Sequence, residues 1–109
     1  MPITGATPLA FTEAFSAAQQ ATANGTWQDW DLSAIIPTGC VCVFVLIVNL
    51  DSSENDVGCR TNGSALARLF ETSYNGAVVF PVAPDANRVI EIYAEAYAKF
   101  NFRVIGWLS

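Results

Sequence analysis

The stretch GCVCVFVLIVNLD, residues 39–51, constrains the fold of this chain more than any other feature. So apolar a run belongs to a membrane helix, to a metal or redox site built on its two cysteines, or to a strand covered on both sides. From Val41 to Leu50 it holds ten residues, and a membrane-spanning helix needs about 20. Cys40 and Cys42 are two apart. On a strand they point the same way, a poor geometry for a disulfide. Zinc normally takes four ligands at Cys-x-x-Cys-like spacing; the chain has no histidine and only one further cysteine, Cys59. The thiols read as free, half-buried small hydrophobes. A strand remains. Val41, Val43, Val45 and Ile47 face one way, and Cys42, Phe44, Leu46 and Val48 the other. Both faces are apolar and rich in β-branched residues.

An antiparallel sheet usually leaves one face to water, so the second apolar face needs a cover from elsewhere. Composition points the same way. Of 109 residues, 52% are hydrophobic and 14% charged, against a usual charged share of about 25%. One domain of this length buries a modest core. The expectation is therefore an oligomer or a lattice component, with Val41, Val43, Val45, Ile47, Trp27, Trp30 and Trp107 at the subunit interface. Net charge is −5, and the five basic residues are scattered. That argues against nucleic acid, which needs clustered Lys and Arg, and against anionic membrane surfaces. The opening MPITGATPLAF has neither a basic segment nor a long apolar core, so it does not read as a signal peptide.

Residues 1–26 are rich in Ala, Thr and Gln. They read as an N-terminal arm with little regular structure, or as a short helix with Thr7 as N-cap, Pro8 in the first turn and Gly25 past its end. Residues 27–109 read as the folded domain. TWQDWDLSAII alternates loosely and stops at the PTG turn. NLDSSENDVG is a polar loop, TNGS a turn of the Asn-Gly type, and SALARLFE is ambiguous between helix and strand. NGAVVFPV is a strand whose Pro81 suits an edge. RVIEIYAEAY fits both helical and strand spacing, while FNFRVIGW alternates as a strand. A hairpin around Ala96–Ala98 would pair the two. Short strands at roughly even spacing suggest a sandwich or a barrel; the expected fold class is all-β, an antiparallel β-sandwich with a mostly irregular N-terminal arm.

Chemistry is sparse. The absence of histidine removes the commonest general base and both the Ser-His-Asp and Cys-His arrangements. Phosphate-binding glycine loops are absent. Asp29 and Asp31 would share a strand face, as a catalytic pair or calcium site would require, but a solvated face beside Trp27 and Trp30 accounts for them. Asp51, Glu54 and Asp56 loosely follow a calcium loop without its glycine and closing glutamate. NGT at Asn24 and NGS at Asn62 match the glycosylation pattern and read better as turns. The tryptophans and tyrosines would suit a sugar platform, though large aromatics in a sheet this small more often serve core or interface. No catalytic residue, metal or cofactor is expected.

Three segments resemble a small jelly-roll module of tailed phages: Trp27, Asp29, Asp31, Leu32 and Ser33 before a Pro-Gly turn; Gly58, Arg60, Gly63 and Ser64; and Glu91 and Tyr93 ahead of a last strand ending in Gly106 and Trp107. The resemblance covers about residues 25–108. It implies a jelly-roll-like sandwich, a homotrimer and no enzymatic activity. Such modules serve as capsid cement (decoration) proteins and as receptor- or glycan-binding heads of tail fibres. The expected function is a structural virion protein, made in the host cytoplasm, that binds the outer capsid surface as a trimer. Its partners would be itself and the major capsid protein, the latter met by the arm through Pro8, Leu9, Phe11 and Phe15. The alternative is the tail-fibre head.

Overall fold

The computed structural model describes residues 8–109, so the expected N-cap Thr7 lies outside the described residues. Period-two alternation places most of the chain in strands. In chain order these are β1 (Phe11–Glu13), β2 (Gln28–Asp31), β3 (Cys42–Asn49), β4 (Asn55–Thr61), β5 (Leu69–Thr72), β6 (Ala77–Val82), β7 (Val89–Ala94) and β8 (Phe100–Leu108). Two antiparallel four-stranded sheets result, ordered β1-β8-β3-β6 and β2-β7-β4-β5. They pack face to face as an all-β sandwich. The pairings nest: β1 with β8, β2 with β7, β3 with β6, and β4 with β5. The chain is thus a long hairpin folded over into two layers. Among the described residues no helix is long and apolar enough to cross a membrane.

The core lies between the sheets. Val43, Val45 and Ile47 of β3 meet Phe100, Phe102 and Val104 of β8 on one side and Val57, Cys59, Ile90 and Ile92 of β4 and β7 on the other. Each such side chain contributes roughly 1.5–3 kcal/mol when fully buried. Asn49 is the largest fully buried polar side chain. Its amide donates to the carbonyls of Ser53 at 3.1 Å and Thr72 at 3.0 Å, and its carbonyl accepts from the Asp51 backbone N–H at 2.7 Å. It ties the end of β3 to the opposite sheet with its polar atoms satisfied, as burial demands.

Several expectations change. The N-terminal segment forms no helix over its described part. It runs as β1 and then irregularly along β8, with Ala14, Ser16 and Gln19 donating backbone hydrogen bonds to Ile105, Val104 and Phe102. The expected hairpin does not form: a 3-10 turn at Tyr97–Lys99 carries the chain from β7 in one sheet to β8 in the other. Both strands present apolar residues, and each finds a partner whose inner face matches its own. SALARLFE is irregular up to Arg68 and then a strand. Pro81 sits on an edge strand as expected, and Arg68 donates to its carbonyl at 2.8 Å.

Candidate functional site

Alternation in β3 sends Val43, Val45 and Ile47 into the core with no exposure at all. These three expected interface residues are corrected: they belong to the chain's own sandwich. The face left open holds Cys42, Phe44, Leu46 and Val48. In register beside them lie Ala77, Val79 and Pro81 on β6 and Gly106 and Leu108 on β8. β1 adds Phe11 at the far edge. The Phe11 ring lies across part of this apolar sheet, and Cys42, Phe44, Leu46 and Val48 are half-buried. Its charges are one of each sign, Arg103 beside Leu46 and Glu13 beside Gly106.

Phe11 extends the patch because Gly106 leaves room for it. A Cβ on Gly106 would stand 2.2 Å from the Phe11 ring and 2.9 Å from the Thr12 carbonyl. The ring instead lies across the sheet, edge-on to Phe44 at 5.8 Å between centroids, a favoured aromatic geometry. Phe11 is still 56% exposed. Arg103 fastens the next part of the arm: its guanidinium lies 4.7 Å from the Phe15 ring centre and donates to the Ser16 carbonyl at 2.9 Å. Leu9 and Phe15 project outward, 57% and 70% exposed.

The outer face of the other sheet is of opposite character. Asp29 and Asp31 on β2, Asp56 on β4, Glu71 on β5, and Glu91 and Glu95 beside them carry its charge. The Ser33 backbone N–H holds the Asp31 carboxyl below its usual range, so this residue caps a turn. Contact with Glu54 pushes the Glu71 carboxyl up. Arg60 is the cation here. It ion-pairs with Glu91, donates to the Leu66 carbonyl at 3.2 Å and stacks 4.0 Å over the Trp27 ring, which in turn lies 5.3 Å from Tyr93. The Gly63 N–H donates to the second Glu91 oxygen at 3.2 Å. The fold therefore joins Trp27, Arg60, Gly63, Glu91 and Tyr93, drawn from three segments far apart in sequence, into one structural cluster.

The expected interface residues do not form one surface. Val41 is exposed just ahead of β3, Trp30 is buried, Trp107 packs half-buried on the core, and Trp27 lies under Arg60 on the acidic side. The expected arm residues Pro8, Leu9, Phe11 and Phe15 are all exposed, on a segment bonded to the chain's own β8. The residues that were missed, Phe44, Leu46 and Val79, follow from the same alternation. Periodicity identifies two faces without saying which one turns inward.

A groove of about 370 Å³ opens between the arm and the β2–β3 connection, lined by Phe15, Gln19, Trp30, Ile35 and Trp107 among other uncharged residues. Among the described residues no titratable side chain lines it. Among the described residues no group of His, Cys, Asp and Glu is placed to hold a metal ion. Asn24 and Asn62 serve as turn braces, accepting from the Tyr97 N–H and donating to Asp85. The three thiols are free, and burial pushes those of Cys40 and Cys59 up in pKa. No family model, curated protein or solved structure matches the chain.

Proposed function

We propose that this chain is a capsid decoration protein of a tailed phage, bound as a homotrimer to the outer surface of the head and stabilising it. The observation that carries the reading is the sidedness of the sandwich. One outer face is apolar and continues into the exposed arm residues Leu9, Phe11 and Phe15, while the other is acidic. A subunit built this way adheres on one side and stays hydrated on the other. The nested strand pairing of the two four-stranded sheets is compatible with a jelly-roll winding and supports the same family of virion modules.

The physics is burial of apolar area, worth about 25 cal/mol per Å² before the entropic costs of association. Three copies held together would multiply a weak single attachment through effective concentration. The major capsid protein is the partner, and no catalysis is involved. Co-sedimentation with expanded heads that lack the protein tests the reading: saturable binding and greater resistance of the heads to disruption are expected. A protein that stays in the supernatant at micromolar concentration sinks it.

The groove favours a second reading, a glycan-binding tail-fibre head, because Phe15, Trp30 and Trp107 offer aromatic surface beside the Gln19 amide. That reading predicts a glycan array with hits and tryptophan fluorescence that titrates with the bound sugar. An array without hits, together with head binding, decides for decoration.

A further inference from the structure

We infer that the outer face of the β1-β8-β3-β6 sheet is covered by a second copy of this chain, with Leu9, Phe11, Phe44, Leu46, Val79 and Pro81 as the contact. The inference rests on the self-association proposed above and names the surface that performs it. Three observations single out a copy of the chain as the occupant.

The first is charge. The other outer face carries the acids Asp29, Asp31, Asp56, Glu71, Glu91 and Glu95, with Arg60 ion-paired to Glu91 and Arg88 near Asp31. A chain of net charge −5 repels itself through that face. The apolar face carries Arg103 and Glu13, which cancel, and each is the complement of a group present on every other copy. When each apolar face is covered by a neighbouring copy of the trimer, the acidic faces stay in solvent, where salt screens them over a Debye length of about 8 Å.

The second is area. The four strands hold three, nine, eight and six residues; at about 3.4 Å per residue and about 4.8 Å between strands they give a face of roughly 400 Å². A standard interface buries about 800 Å² per partner, so the sheet alone falls short. Leu9 and Phe11, more than half exposed at its β1 margin, extend the apolar surface toward that size. Phe11 is held in position for this by the space above Gly106.

The third is the closure of the β6 edge. Pro81 lacks an N–H, and its carbonyl already accepts from Arg68. That edge is poorly suited to strand addition by another chain, so on the β6 side of this sheet the face, not the edge, is the route of association.

The test is native mass spectrometry with light scattering on the full chain at micromolar concentration, for the wild type and for Leu46→Asp, Val79→Lys and Glu95→Lys. Val79 is 46% exposed in the monomer, so Val79→Lys folds even if Leu46→Asp does not. The wild type is expected at a multiple of 11.7 kDa. Leu46→Asp and Val79→Lys are expected at the monomer mass with an unchanged β-sheet circular dichroism spectrum, and Glu95→Lys at the wild-type mass. A monomeric wild type, a folded Val79→Lys that keeps the wild-type mass, or dissociation by Glu95→Lys alone overturns the inference. Head co-sedimentation is scored separately. A monomer that binds heads refutes the copy-to-copy contact and leaves decoration standing; an oligomer that does not bind heads does the reverse.

Discussion

Val45 shows how one residue's meaning depends on which side of a strand is inward. It has no exposed surface and faces the opposite sheet. Val45→Asp would place an unpaired charge in the core, where the cost exceeds what a small domain can absorb. The expected result is an unfolded chain by circular dichroism, whereas Leu46→Asp one residue later stays folded. Phe102, also fully buried, should lose about 3–5 kcal/mol on replacement by Ala, measured by urea denaturation. Arg60 is different in kind, since it serves Trp27, Glu91 and Leu66 at once. Arg60→Ala strands a half-buried carboxylate and uncovers an indole. About 1–3 kcal/mol is expected from the lost charged hydrogen bonds and stacking, and a loss within experimental error would show the cluster to be incidental.

Among the elements, β1 is the least secured. It is three residues long, all of them exposed, and pairs on one side with β8. Its placement depends on Gly106. A Cβ there collides with both the Phe11 ring and the Thr12 carbonyl, and the second contact is backbone that cannot swing aside. Gly106→Val should therefore release β1 while leaving the sandwich intact. Limited proteolysis is expected to cut near residue 11 in the variant and not in the wild type, with the thermal midpoint nearly unchanged. Equal protection in both would refute this role of the glycine. The β7–β8 connection was misread in the sequence for an identifiable reason. Two adjacent alternating segments resemble a hairpin, but β7 and β8 belong to different sheets, and Ile90, Ile92, Ala94, Phe100, Phe102 and Val104 share one core. A hairpin would have set the two strands edge to edge in one sheet.

At the scale of the molecule, most of the carboxylates gather on one outer face, beside exposed Leu66 and Leu69, and acid should act on that face. The Ser33 N–H lowers the carboxyl of Asp31, and the Asn62 amide with the Val89 N–H lowers that of Asp85, from an ordinary 3.8. Their stabilisation is full above that value and is lost as pH falls through the depressed folded values. Glu71 has the opposite sign. Contact with Glu54 raises it above 4.5, so the folded chain takes up a proton there more readily. Its contribution is complete below 4.5 and is lost as pH rises through the raised value. The melting midpoint is thus expected to rise modestly from pH 7 to pH 4.5 and to fall below pH 3.8, with Glu71→Gln removing the rise. A midpoint that falls steadily from pH 7 downward would contradict the assignment.

The sequence by itself determined that the chain is all-β, that residues 41–48 form a strand apolar on both faces, and that Pro81 marks an edge. These follow from period-two alternation, β-branched content and the missing proline N–H, all local properties. Tertiary structure alone decided which face of β3 is core, which strands pair, and that Trp27, Arg60 and Glu91 meet. Alternation is symmetric between the two sides of a strand, and only the packing of a second sheet breaks that symmetry.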